Sequence, residues 1–478
     1  MCGSTTANPR SQGFSRELSP SYASAEPTNF LGEGFALPRR IRTCTSICLA
    51  LAVTTSIVHA DDPKRDVPDY DGRGNPDVDS PSWAWWIPRV ILFPLYVPYE
   101  YVTRRPIGAF VTHAERDHWA NTVESIFTFG PLGNNVIIPT ILFDFGLLPS
   151  VGLYYAGKDF LADDNELRLH VATWGPKWID ATAADRAAVG TSDSLEARFE
   201  FKRSEDNIYF GIGPDVKTGT LSRYGLEKLE ASASYRHKIH DESNMRVRGG
   251  VHRMSFVDGG CCNNPTVAEL VANGTLAQPP LFGDNYATAF GGIDLQIDSR
   301  HPKPAPGSGF FLKLDENTNF DLHKTRSWIK YGGVLGASVD LTGHQRILKM
   351  QLGLQFVDQL QGEGIPFNEY AVLGGDLMPG FVPGWMTGRS TAAAQLGYTW
   401  PVWLGLDGQT RFTFGNAFGQ HLDGLGPSKL RMSFDIGVTT SAVRDQGFEI
   451  LFGLGTETFE QGAGITSVRV AFGSRQGF

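Results

Sequence analysis

At 478 residues the chain has room for two or three ordinary domains or for one large β-architecture. Glycine is abundant (55 residues), aromatics reach 12%, charged residues only 19%, and the net charge is −9, with a mean hydropathy of −0.18. A soluble α/β enzyme is usually richer in charge and poorer in glycine, whereas a membrane-spanning β-barrel, whose residues alternate between lipid and lumen, has this profile. The negative balance gives no support to a nucleic-acid partner.

The first readable segment is "LPRRIRTCTSICLALAVTTSIVHADDP" (37–63), which has the build of a secretory signal. Arg39, Arg40 and Arg42 precede an apolar stretch at 43–58, and Val58-His59-Ala60 places small residues where a signal peptidase cuts, just before Asp61. The rival is an N-terminal membrane anchor. Residues 1–38 form a long preface, which suggests a translation start further downstream. Cys2, Cys44 and Cys48 precede the expected mature start, and no lipobox accompanies them. The adjacent Cys261 and Cys262 close no loop, so no disulfide framework is expected.

Residues 61–82 are acidic and punctuated by Pro and Gly, the composition of a disordered linker. Residues 83–130 begin "WAWWIPRVILFPLYVPYEY" and carry prolines at 88, 94, 98 and 106, which forbid one long straight helix. A kinked helix followed by a second one opened by Pro106 is expected. Trp83, Trp85 and Trp86 beside Arg89, Arg104 and Arg105 suit a membrane interface at the periplasmic side. The competing reading is a transmembrane helix, which would hold the protein in the inner membrane and conflicts with the strand pattern downstream.

From about residue 131 to the end the hydrophobic period becomes two. "ELRLHVATW" (166–174), "RMSFDIGVTT" (431–440) and "SVRVAFGS" (467–474) alternate polar with apolar. Their polar partners include Arg, Glu, His and Asp, too charged for a dry core and suited to a wet lumen. Sixteen strands are predicted, near 137–145, 150–157, 165–174, 177–187, 193–203, 224–239, 244–257, 286–299, 308–320, 329–342, 346–359, 390–403, 406–418, 430–442, 447–458 and 466–477. The longest gaps, 204–223, 258–285 and 360–389, all come after odd-numbered strands. That parity is what a barrel with both termini on one side of a membrane requires. The fold class is therefore an all-β, sixteen-stranded antiparallel transmembrane barrel.

One gap is unusual. "VLGGDLMPGFVPGWMTGRS" (372–390) is apolar, glycine-rich and almost uncharged, so in solvent it would form an adhesive patch. Together with "AQLGYTWPVW" (394–403) after it, this stretch resembles the sixth-extracellular-loop region of the BamA/TamA-type outer-membrane superfamily, the bacterial surface antigen family. "YFGIGP" (209–214), "GNAFG" (415–419) and the terminal "GSRQGF" (473–478) add to the resemblance, which covers roughly residues 135–478. The resemblance implies that the loop, with Gly374, Gly375, Met378, Pro379, Gly380, Phe381, Gly384, Gly388 and Arg389, folds back into the lumen. It further implies a role in membrane-protein insertion, translocation or envelope organisation. A passive pore for small solutes is the alternative, and a barrel-borne hydrolase a remote one.

Two departures from the family pattern stand out. The family's loop tip carries an Arg that pairs with a carboxylate on the thirteenth strand. Here Pro379 stands at the Arg position and Thr413 at the carboxylate position, so both halves of the pair are replaced together. Arg389 is a candidate replacement anchor. The second departure is that residues 61–130 have no strand pattern for a POTRA domain, which points to the branch lacking it.

No catalytic residues, metal or cofactor are expected. "HAERDHW" (113–119) lacks the spacing of a zinc helix and reads as a solvated face. In outer-membrane barrels a C-terminal aromatic is an assembly signal, which singles out Phe478, with Phe472 and Val470 two residues apart on one strand face. The expected partners are outer-membrane lipid, the barrel assembly machinery and an unidentified client protein; a homodimer is left open.

Overall fold

The computed structural model describes residues 125–130, 133–160, 164–240, 242–300, 307–341, 345–403, 406–440 and 446–476, with the isolated residues Phe93, Tyr101 and His113. The signal, the linker, the three N-terminal tryptophans, most of the helical segment at 83–130 and Phe478 lie outside the described residues.

The described chain forms a closed barrel of sixteen antiparallel strands. They are β1 (Asn135–Asp144), β2 (Ser150–Lys158), β3 (Asn165–Thr173), β4 (Trp178–Val189), β5 (Asp193–Tyr209), β6 (Ser222–His240), β7 (Ser243–Val257), β8 (Tyr286–Asp298), β9 (Gly309–Asp321), β10 (Ser327–Asp340), β11 (Ile347–Gln361), β12 (Ser390–Trp403), β13 (Leu406–Phe418), β14 (Arg431–Thr440), β15 (Gln446–Thr456) and β16 (Ile465–Gln476). Each pairs with its sequence neighbours, and β16 returns to β1. No helix among the described residues is long and apolar enough to cross a membrane.

The packing is inside-out compared with a soluble protein. On β3, Arg168, His170 and Ala172 point inward and are buried, while Leu169 and Val171 face out and are exposed. The same holds around the ring: Leu195, Phe199, Leu229, Val251, Ile293, Leu335, Leu352, Phe412, Phe434 and Phe452 are all exposed on the outer wall. Such a girdle is stable only against lipid. Strand alternation thus sorts the residues, and the polar half lines the lumen.

The long connections named next gather at one end of the barrel, the loop end; the opposite end, which holds turns such as 190–192, is the turn end. Residues 210–221, 258–285 and 362–389 lie at the loop end. A short helix, α1 (Val267–Ala272), sits in the second of these, opened by a capping box in which Thr266 and Glu269 satisfy each other's backbone. Val267 and Leu270 pack with Tyr209, Leu276 and Phe367 in a small apolar cluster.

The structure corrects one boundary. The loop expected at 204–223 is only 210–221, because β5 continues to Tyr209 through a register shift between Ser204 and Asn207. Glu205 and Asp206 are both buried at that bulge, which breaks the period-two signal and hides the end of the strand from the sequence. Cys261 and Cys262 are bonded to each other and bridge no separate elements.

Candidate functional site: the docked loop and the strand seam

The loop between β11 and β12 is held at its base by its own ladder. Residues Ala371–Leu373 pair with Met386–Gly388, so the excursion narrows to a tip at 374–385. Gly374 and Gly375 turn the chain with φ of 124° and 69°, values that side chains other than glycine rarely adopt. Gly384 also has positive φ, and Gly388 lies against the Phe418 backbone. Inside the tip, Gly375 N donates to Phe381 O at 2.9 Å and Phe381 N to Met378 O at 3.0 Å.

Met378 and Phe381 are fully buried. They pack with Leu373, Met386, Ala393 and Ala417, and Trp385 leans on the same cluster. Trp385 also packs against Phe210 with the rings tilted, centroids 4.2 Å apart. The motifs at 209–214 and 415–419, distant in sequence, meet around this loop. Asn416 Nδ2 donates to Pro214 O at 3.2 Å, and Gly213 N to Thr387 O at 2.9 Å.

A transverse row of inward residues forms the bed beneath the tip: Gln395, Thr413, Ser433, Gly455 and Ser467, one from each of β12–β16 and opposite one another in register. Gln395 Nε2 donates to Leu377 O at 2.9 Å. Gly380 N donates to Ser433 Oγ at 2.8 Å, and Ser467 Oγ donates to Gly380 O at 2.7 Å. Gly380 itself must be bare, since a Cβ there would collide with the Leu454 carbonyl oxygen. A Cβ on Gly455 would strike the Phe381 ring. Thr413 is completely buried in the row, and its hydroxyl has no hydrogen-bond partner among the described residues.

The tip is also tied to the closure of the barrel. Arg469 on β16 grips Asp144 at the end of β1 in a two-point pair, Nε to Oδ1 at 2.9 Å and Nη2 to Oδ2 at 2.7 Å. Its remaining nitrogen, Nη1, donates to Pro379 O at 3.2 Å and Phe381 O at 3.4 Å. Both partners are more than nine-tenths buried. A guanidinium does serve the loop tip, but it comes from the last strand rather than from the tip. Pro379, with no N–H to offer, presents only its carbonyl. Neither Asp144 nor Arg469 was singled out in the sequence. The available signal was that each is the lone charge in an otherwise apolar stretch, "NVIIPTILFD" and "SVRVAFG".

The strand pairing at this closure is short. Among the described residues Ala471–Asp144, Phe472–Phe143 and Gly473–Leu142 are in register, supplemented by Phe145 N donating to Val470 O at 2.9 Å. The next shortest ladder, β14–β15, runs from Ser433–Gly455 to Thr439–Glu449. Nearer the turn end the free edge of β1 is covered instead by Thr128–Phe129, which pairs with Val136 and Asn135. Val470 is exposed and Phe472 shares its outward face, edge-on to Phe448 with centroids 5.1 Å apart.

Arg389 lies at the opposite side of the loop. Its Nε donates to Val357 O at 2.8 Å on β11, its guanidinium sits 5.7 Å from the Tyr370 ring, and Nη2 is 3.8 Å from Asp358. It therefore fixes the loop's base and does not reach the tip. The ascending limb has a further anchor the sequence did not reveal, Glu369, which accepts a hydrogen bond from Tyr286 OH.

No family model matches the chain, and no curated protein matches it in sequence. Among solved structures, BamA from Haemophilus ducreyi, in a form lacking POTRA domains 1–3, superposes with a TM-score of 0.52 at 12% identity, covering 71% of this chain and 70% of that one. The chain has the barrel fold of BamA. Two CdiB proteins are also similar. That from Acinetobacter baumannii gives a TM-score of 0.44 at 10% identity, over 72% of this chain and 60% of that one. That from Escherichia coli gives 0.45 at 11% identity, over 72% and 64%. The match spans less than two thirds of either CdiB chain. The expectation drawn from the loop motif thus holds for the fold.

Proposed function

We propose that the chain is an outer-membrane barrel that handles other polypeptides, inserting or translocating them by parting β1 from β16. The observation that carries this reading is the seam, three register pairs long among the described residues and latched by Arg469–Asp144 to the loop tip. Few backbone hydrogen bonds need to break there, and one side-chain cluster joins both strands to the docked loop. The packed loop end argues against the rival, a passive pore: Trp385, Phe210, Val382 and their neighbours fill the space a solute would cross. The reading is non-enzymatic. It includes export by a signal cleaved near Ala60, surrounding lipid, an assembly machinery that recognises the C-terminal strand, and a client of unknown identity; a homodimer is compatible with it.

Phe143 and Phe472 stand opposite each other on the outer face of the seam, so a Phe143→Cys/Phe472→Cys pair can lock it. In producing cells that depend on the protein for envelope integrity, the oxidised form should fail and reductant should restore it. In planar bilayers the wild-type protein should show little steady conductance. A locked barrel that sustains cells as well as the wild type would remove seam opening from the mechanism. A steady open conductance would favour the pore.

A further inference from the structure

The lumenal wall from β3 to β8 carries two tiers of charge that differ in balance. In the tier nearer the loop end, three cations face three carboxylates: Lys228 lies 2.7 Å from Glu230 and 3.2 Å from Glu200, Arg198 lies 2.9 Å from Glu200, and Lys202 lies 3.9 Å from Asp180. In the tier nearer the turn end, counting Arg168 with its partner Glu196 although it shares a row with Arg198, five arginines face three carboxylates. Arg168 and Arg186 share Glu196 at 2.7 and 3.1 Å, and Arg186 lies 3.9 Å from Glu166. Arg246 takes Asp294 at 2.7 Å, leaving Arg248 a long contact of 3.6 Å to the same residue. Arg236 has no ion pair or hydrogen bond among the described residues. Its cross-strand neighbour is Arg246; Arg186 and Arg168 are also within its electrostatic reach, and the one carboxylate there is Glu196, already shared by those two arginines. The flanks do not cancel the excess. Lys158 on β2 stands opposite Glu166, and Lys313 and Asp315 on β9 add one charge of each sign.

Like charges directly opposite on neighbouring strands destabilise a sheet, so an Arg–Arg pair facing a lumen calls for an anion. Gly292 widens the place: it lies opposite Arg248, and a Cβ there would come within 3.2 Å of Arg248 Nε. We infer that Arg236, Arg246 and Arg248 form a lumenal binding site for a phosphate group that enters from the turn end. Guanidinium forks match phosphate oxygens in pairs. One phosphate dianion neutralises a surplus of two charges at a single point, where a peptide would need two adjacent carboxylates. A lipid headgroup and a free phosphate compound share this chemistry.

The test uses the full chain refolded in zwitterionic detergent, with inorganic phosphate as the first probe and chloride at matched ionic strength as control. Thermal unfolding should shift upward saturably with phosphate and not with chloride. Arg236→Gln should weaken apparent phosphate affinity at least tenfold while leaving the phosphate-free barrel as stable as the wild type or more so, because it relieves repulsion. Lys429→Gln, on a loop-end turn, should keep the wild-type response. A second arm compares phosphatidylcholine liposomes with and without phosphatidic acid: protection that needs phosphatidic acid identifies a lipid source, and protection by phosphate alone a soluble one. If neither probe gives a saturable shift, or Arg236→Gln responds like the wild type, there is no such site. A large loss of stability in phosphate-free Arg236→Gln would also overturn it, by showing that the residue is already paired within the barrel.

Discussion

The two halves of the lumenal wall are built from different residues, and each half records what it faces. From β3 to β8 the inward face is rich in Arg, Lys, Glu and Asp, spread over two tiers and mostly partly exposed, with Arg168 buried. From β12 to β16, at the level of the loop tip, they are Ala393, Gln395, Thr413, Gly415, Ser433, Gly453, Gly455 and Ser467, small or neutral and mostly buried. Charges flank this patch on that side: toward the loop end Arg431, opposite Gly415, meets Glu457 at 2.6 Å, and nearer the turn end Arg411 meets Asp435 at 2.9 Å and Glu449 at 3.2 Å. Charged side chains keep their ends hydrated and hold a lumen open, whereas bare positions let a second layer of backbone approach to hydrogen-bonding distance. The loop lies where the wall is bare because only there can Gly380 reach Ser433 and Ser467.

Arg469 and Asp144 are the ion pair of the bare half that touches the loop tip, and removing one of them tests the comparison most severely. Arg469→Met leaves a buried carboxylate without its partner and frees the Pro379 and Phe381 carbonyls. Breaking a buried ion pair from one side costs about 3–5 kcal/mol, which should appear as a lower urea midpoint for the folded, heat-modifiable band in gel mobility. Adding Asp144→Asn should recover part of the loss, because the stranded charge is gone while the loop carbonyls remain unserved. A cost below about 1 kcal/mol, the scale of a surface pair, would mean that solvent reaches the seam.

A smaller effect tests the bareness itself. Gly455→Val places a branched side chain where the Phe381 ring already occupies the space of a Cβ. Overpacking of this kind costs about 1–3 kcal/mol, and the loop, held by a three-pair ladder where the wall has longer ones, should yield first. Protease added to intact cells should then cut within 376–388, which stays protected in the wild type. Arg198→Gln on the charged half should leave that protection intact. Equal protection in both variants would mean that the loop does not depend on the bare wall.

Much of this was legible because period-two alternation survives wherever a strand divides lipid from water. All sixteen strands could be placed from it, and the reading failed only at Ser204–Asn207, where the bulge buries Glu205 and Asp206 side by side. The loop declared itself by composition, glycines for close approach and Met378 and Phe381 for burial. Its anchors did not, for a topological reason. Asp144 and Arg469 are 325 residues apart and become neighbours only when the barrel closes, and Glu369 meets Tyr286 only once the loop has folded inward. Alternation shows which face a residue takes but not what stands across the lumen.

The smallest predicted effect concerns Thr413, the one position in the bed whose polar atom serves nothing. Gln395 and Ser433, its neighbours in register, both bond the loop, while the Thr413 hydroxyl is sealed off with no partner among the described residues. An unsatisfied buried polar atom costs about 1–3 kcal/mol in the folded state. Thr413→Val keeps the branched shape, discards the hydroxyl and should leave stability unchanged or raise it by about 1 kcal/mol, read from the same urea midpoint. Ser433→Ala, of similar size and one strand away, should move the other way by about 1 kcal/mol, since it strands the Gly380 N–H. The opposite signs are the test, because both changes remove one hydroxyl from the same row. Should Thr413→Val destabilise as much as Ser433→Ala, the hydroxyl bonds something within the lumen, and the bare half of the wall would hold a polar contact beneath the loop after all.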